Sequence, residues 1–242
     1  DSSVRHGQRS MEENISSYAA ATQWWGVVPE MGSLVFDLIN YLNDAGYKAV
    51  TVTDLFRTSY DVNAWGPRES ITSSRFAAVC AGLGEIAWNG AVLTPEYGLT
   101  QKFICLVTDA EIDEDPLYRG EALCSKCRKC VSSCPVNALE KGDDVKICIE
   151  DKIIEFAGRD RLHCEWSAKC GLVGEEGPKY LGITNDFPPP EEITAEAVYD
   201  ALNQLNHVEQ SWCITFEKCL SVCPTTKKVL ERAQDNIWKK NI

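Results

Sequence analysis

A chain of 242 residues with 44% hydrophobic content can bury one large core or two modest ones. Its formal net charge of −12 argues against nucleic acid, whose phosphates demand clustered lysine and arginine, and suits a soluble protein that meets basic partners or small molecules. No apolar run approaches the roughly 20 residues of a membrane span, and no leader is visible, although a chain that starts at Asp1 leaves room for a removed leader or upstream region.

Residues 1–20 are polar and aperiodic, and 1–28 reads as an N-terminal arm or remnant. From Met31 the apolar positions Leu34, Val35, Leu38, Tyr41 and Leu42 recur at helical steps, and Gly46 is placed to cap that helix. Residues 48–53 are rich in β-branched side chains and predict a strand. Residues 54–74 are polar, with Gly66-Pro67 as a turn. Residues 75–83 are small and apolar and predict an internal helix. Residues 102–108 predict a second strand, buried on both faces. Pro188-Pro-Pro190 is a stiff connector. Thr194 is placed to cap a helix with Val198, Ala201, Leu202 and Leu205 on its apolar face. Val229, Leu230, Ala233 and Ile237 mark a last amphipathic helix.

The chemistry sits in the cysteines. Cys124-Ser-Lys-Cys127-Arg-Lys-Cys130-Val-Ser-Ser-Cys134-Pro135 is the C-x2-C-x2-C-x3-C-P run of a bacterial-type iron–sulfur ferredoxin. A shortened partner, Cys219-Leu-Ser-Val-Cys223-Pro224, stands near the other end. The spacing favours metal clusters over disulfides. In two-cluster ferredoxins the fourth cysteine of each run ligates the other run's cluster. That crossing predicts one [4Fe–4S] cluster on Cys124, Cys127, Cys130 and Cys223. It predicts a second on Cys134 and Cys219, with Cys213 and either Cys164 or Cys170 completing the set. The plain alternative is one cluster with stray cysteines. Cys80, Cys105 and Cys148 lie in apolar surroundings and read as buried small hydrophobes.

Gly82-Leu-Gly-Glu-Ile-Ala87 has the form of a dinucleotide fingerprint, G-x-G-x-x-A. The residues before it are helical rather than extended, and Asn89-Gly90 and Pro95 cut short any following helix, so that reading is rejected. Glycine at this density means a sharp turn or a close approach.

The order Ala81-Gly-Leu-Gly-Glu-Ile, Asn89-Gly, Leu93-Thr-Pro-Glu-Tyr-Gly98, a strand ending in Thr108-Asp109, and the Cys124 run resembles reductive dehalogenases and the related epoxyqueuosine reductases. The resemblance covers roughly residues 28–140 and the Cys219–Cys223 end. It implies a partial nitroreductase-like α/β domain over 29–118, followed by an α+β bacterial-type ferredoxin domain over 119–242 with an insertion at 145–210. It also implies a corrinoid reduced by the clusters, with Gly82, Gly84, Trp88, Asn89 and Gly90 beside it. Trp24, Trp25 and Trp88 could wall an apolar pocket. The chain departs from the family in two ways. It is short, with only about thirty residues before the helix at Met31. And the family's basic residue before Asn-Gly is Trp88 here, while its tyrosine falls near Val28. A tryptophan offers one N–H donor and no general acid near neutral pH. Tyr18, Arg57, Tyr60 and Arg75 remain as candidate proton donors or anion clamps. His6, His163 and His207 read as structural or exposed.

Two functions follow. One is an iron–sulfur oxidoreductase that passes electrons through two clusters to a corrinoid-type site acting on a small molecule. The other is an electron-transfer subunit of a larger complex, without corrinoid or active site. A redox partner protein is expected in both, and an oligomer, or a chain completed by a partner subunit, is compatible with both. Cluster insertion needs a reducing compartment, which makes the cytoplasm the default, with Tat export and membrane association as the alternative.

Overall fold

The computed structural model describes residues 28–52, 73–134, 136–169, 190–204 and 218–239. Helix α1, Val28–Asp44, ends as its sequence dictates. Gly46 takes φ +93°, a left-handed turn that costs glycine nothing. The Tyr47 N–H donates to Leu42 O and the Gly46 N–H to Asn43 O, a Schellman closure of the last carbonyls. The chain turns into β1, Ala49–Val52, which pairs antiparallel with β4, Cys105–Thr108, from Ala49 opposite Thr108 to Val52 opposite Cys105.

That pair corrects one expectation. β4 is not buried on both faces: three of its residues are partly buried and Val107 is 53% exposed. Among the described residues this sheet has two strands and no second layer that hides both faces, and α1 lies against β1.

Helix α2, Ser74–Cys80, leads into a short hairpin of β2, Glu85–Ile86, and β3, Val92–Leu93. Its turn is Trp88-Asn89-Gly90, with Gly90 at φ +77°. A strand follows the glycines where a dinucleotide site would need a helix, in line with the rejected fingerprint. After the cysteine run come the single-turn helices α3, Lys129–Ser132, and α4, Ala138–Lys141. A second hairpin joins β5, Val145–Ile149, to β6, Lys152–Phe156, through Glu150 at φ +52°.

The principal core unites Ala78, Val79, Ile86 and Val92 with Ile154 and Phe156. It therefore draws on both sides of residue 118. Helices α5, Arg161–Lys169, and α6, Ala195–Gln204, form a second core around Trp166, Ile193, Val198 and Ala201. Thr194 caps α6 as expected: its Oγ1 accepts the Ala197 N–H at 3.1 Å. Helices α7, Lys218–Ser221, and α8, Pro224–Lys239, close the described chain, with Pro224 in the first turn of α8, where its missing N–H costs nothing. Cys80 and Cys148 are exposed and Cys105 is half-exposed, so none is the buried hydrophobe its neighbours in sequence suggest. Short strands and single-turn helices leave little interior for those positions to enter.

Candidate metal centre

The Cys124–Cys134 loop is bent at two residues that are not glycine. Lys126 has φ +50° and Arg128 φ +56°. Left-handed turns at such residues are uncommon, and alternating turns of this kind make the anion-binding concavities found at iron–sulfur sites. Two backbone N–H groups already point at sulfur. Trp88 donates to Cys124 Sγ at 3.3 Å, and Ala138 donates to Cys134 Sγ at 3.2 Å.

The loop's entry is held from three directions. The Leu123 N–H donates to Glu85 Oε2 at 2.9 Å, and the Leu123 carbonyl accepts from Thr225 Oγ1 at 2.8 Å. Glu85 Oε1 takes Lys152 Nζ at 2.7 Å in a partly buried ion pair. Lys152 also donates to Tyr118 O at 3.2 Å. Both Glu85 carboxylate oxygens are thus committed, one to the loop entry and one to β6.

The second cysteine run meets the first. Helix α7 lies beside α3. Asn89 Nδ2 donates to Cys219 O at 3.0 Å, while Asn89 Oδ1 accepts the Ala91 N–H at 3.2 Å. The Leu99 N–H donates to Thr226 Oγ1 at 3.1 Å. Cys124, Cys130 and Cys219 all pack on the buried Trp88, Leu139 and Ala157. Cys124 and Cys223 both pack on Ala87, Leu93 and Leu99. Cys134 and Cys164 share Val136 and Ala138. The start of α5 fixes Cys164: the His163 N–H donates to Asp160 Oδ1 at 3.0 Å, and the Asp160 N–H reaches back to Ala138 O at 2.8 Å. Burial works against charge on Asp160. Hydrogen bonds from the His163 backbone and ring, and from the Leu162 backbone, outweigh it and hold the carboxyl below its usual range.

These surroundings fit a thiolate cluster. Burial is the main cause that pushes the Cys130 thiol up, and Cys124 and Cys127 push the same way, against backbone hydrogen bonds at Val131 and Cys130. Three thiolates this close need positive charge among them, which bound iron supplies. All ten described cysteines are free thiols. Among the described residues no three His, Cys, Asp or Glu side chains are grouped to hold a single metal ion. A cubane makes a different demand, since each of its thiolates binds a separate iron.

The other candidates are placed as follows. Arg75 Nη1 donates to Gly90 O at 2.7 Å, so that guanidinium is used inside the fold. A Cβ on Gly82 would stand 2.2 Å from Pro116 O, and one on Gly84 1.9 Å from Leu93 O. One on Gly90 would meet Arg75 and Phe156. The close approaches that the glycines permit are therefore made to the chain itself. Trp88 is buried, with the Arg128 guanidinium 4.6 Å and Lys126 Nζ 5.4 Å from its ring. His163 Nδ1 lies 3.0 Å from Asp160 Oδ2. Tyr18, Arg57, Tyr60, Cys170, Cys213, Trp24, Trp25, His6 and His207 lie outside the described residues.

Four anchoring residues escape a sequence reading. Glu85, Thr225 and Thr226 act on backbone groups distant in the chain, and Asp160 holds the nearby His163 N–H while its own N–H reaches Ala138 O. The one signal was a carboxylate set among glycines and apolar residues in Gly82-Leu-Gly-Glu85-Ile.

Comparison with known proteins adds to this geometry. A 4Fe-4S binding domain model matches residues 118–140. Tetrachloroethene reductive dehalogenase of Dehalobacter restrictus is 30% identical over 98 residues, 39% of this chain and 18% of that protein. Epoxyqueuosine reductase of Atelocyanobacterium thalassa is 24% identical over 253 residues, 98% of this chain and 72% of that protein. A solved structure described as "Reductive dehalogenase structure suggests a mechanism for B12-dependent dehalogenation" aligns at a TM-score of 0.40 and 24% identity, over 75% of this chain and 24% of that one. The chain thus spans less than a fifth of the dehalogenase's length.

Proposed function

We propose that this iron–sulfur oxidoreductase, a divergent relative of the reductive dehalogenases and epoxyqueuosine reductases, carries two [4Fe–4S] clusters and uses them as a short wire to a corrinoid-type acceptor. The observation that supports it best is the return of Cys219 and Cys223, far along the chain, to the buried residues on which Cys124 and Cys130 also pack.

In this reading Cys124, Cys127, Cys130 and Cys223 hold the first cluster. Cys134, Cys164 and Cys219 hold the second with Cys213, and Cys170 stands as the alternative to Cys164. The clusters supply one-electron transfer. The chain's own residues tune and shield them. The Trp88 and Ala138 N–H groups favour charge on Cys124 and Cys134. The Trp88 ring, Leu139 and Ala157 keep water from the first site.

A corrinoid is the acceptor that the family likeness implies. Gly82, Gly84 and Gly90 do not fit as its bed, because their open sides meet Pro116, Leu93, Arg75 and Phe156. Trp88 and Asn89 face the cysteine runs instead. A small-molecule substrate and a redox partner protein complete the reading. Among the described residues no helix is long and apolar enough to cross a membrane. Thiolate clusters assemble in a reducing compartment, so we place that assembly in the cytoplasm.

Anaerobic reconstitution tests the reading. About eight irons per chain are expected, from two four-iron cubanes. About four would remove the second cluster. Cobalt uptake from cobalamin by the iron-loaded protein would place a corrinoid away from Gly82, Gly84 and Gly90, and its failure would remove the corrinoid acceptor.

A further inference from the structure

We propose that the basic groove flanked by Lys227 and by Lys129, which stands just after the exposed Cys127, docks an acidic electron-donor protein. The inference rests on the electron-wire reading and names where the wire is fed.

The first ground is exposure. Of the four cysteines in the run, Cys127 alone is exposed, while Cys124, Cys130 and Cys134 are partly covered. A donor therefore comes nearest to the first cluster at Cys127.

The second ground is charge. The chain carries −12, yet residues 126–129 read Lys-Cys-Arg-Lys with no acid among them. Lys227 and Lys228 add two more cations near the start of α8. Lys126 is shared with Glu155 at 3.1 Å, and Arg128 is held over the Trp88 ring. Lys129 and Lys227 have no ion pair among the described residues, and they flank a groove of about 350 Å³ lined also by Ser132, Ser133, Val222 and Pro224. Apolar Val222 and Pro224 between hydroxyls and cations give the mixed lining of a protein–protein contact.

The third ground is the sign of everything else. An extended polyanion such as nucleic acid would meet the acidic remainder of the chain. A compact protein with one acidic face meets only the basic patch, and small, transient redox contacts are steered by such fields. The charge of the whole chain points to basic partners, and this one surface points the other way. One electron passes from the donor's reduced flavin or iron–sulfur centre to the cluster held at Cys127, and no bond forms or breaks.

The test uses the full chain with reconstituted clusters. Reduced acidic flavodoxin is the probe, and photoreduced deazaflavin, an uncharged reductant, is the control. Cluster bleaching by flavodoxin should slow with added salt. In the double variant Lys129→Glu and Lys227→Glu it should slow roughly tenfold at low ionic strength and lose its salt dependence. The milder pair Lys129→Gln and Lys227→Gln should lie between. Deazaflavin should bleach all three proteins equally, with equal iron content. A wild-type rate that is flat or rising with salt, or a charge-reversed protein that flavodoxin reduces as fast as wild type, overturns the docking site while leaving the wire intact. Clusters that neither reductant bleaches overturn both.

Discussion

The α1–β1–β4 region and the cysteine region are built on opposite plans. In the first, neighbours are close in sequence or joined by one strand pair, and apolar side chains stay open. Leu34 is 68% exposed, Tyr41 70% and Val50 61%. In the second, single side chains reach far along the chain to fix backbone groups, and Leu93 and Ala138 are almost completely buried. Helical periodicity made α1, but it did not supply a cover for the face that the periodicity creates. The cysteine region has little regular structure and is held by polar anchors. A regular element can exist without a finished core, whereas an irregular loop around a cofactor must have each backbone group placed by something.

Several changes would sharpen or break that contrast. The largest effect belongs to the ligands: Cys130→Ser should remove about half of the bound iron, one cubane of two. Full iron retention would exclude Cys130 as a ligand. Next is Gly84→Ala, which drives a methyl into the Leu93 carbonyl between β2 and β3. A loss of about 3 kcal/mol is expected in denaturant unfolding. Glu85→Ala strands Lys152 and frees the Leu123 N–H, at about 2 kcal/mol, and should also speed iron release to a chelator. Unchanged release would reduce Glu85 to a stability role. Asn89→Ala breaks the bond to Cys219 O and should cost about 1 kcal/mol. The smallest effect is expected on the open side. Leu34→Ser should move stability by no more than about 0.5 kcal/mol. A larger loss would mean that the face of α1 is covered in solution and that the contrast is overdrawn.

Local signals were legible and distant ones were not. Gly46 and Thr194 announced a helix end and a helix start, because capping depends on residues a turn away. The Cys124 run announced its chemistry because four cysteines at ferredoxin spacing fall within one loop. The glycines announced close approach, but what approaches Gly82 is the Pro116 carbonyl and what approaches Gly84 is the Leu93 carbonyl. Spacing alone has no means of telling an internal neighbour from a ligand. The doubly buried strand at β4 failed for a related reason. Its composition is that of a central strand, and only the pairing scheme reveals that β1 is its one neighbour among the described residues. Trp88 reads as a pocket wall and turns out to be the floor beneath three cysteines.

The clamp on Leu123 has a consequence for biogenesis. Its N–H is held by Glu85 and its carbonyl by Thr225, so the entry to the first cysteine loop is anchored at one residue well before it and another far after it. Contacts of such long sequence separation form late. While the ribosome is still making the segment before Thr225, Cys124, Cys127 and Cys130 are outside the tunnel with the Glu85 half of the clamp but without Thr225 and Cys223. A chain cut short before α8 would keep the ferredoxin motif and the Glu85 contact but lose the Thr225 hydroxyl that holds the Leu123 carbonyl.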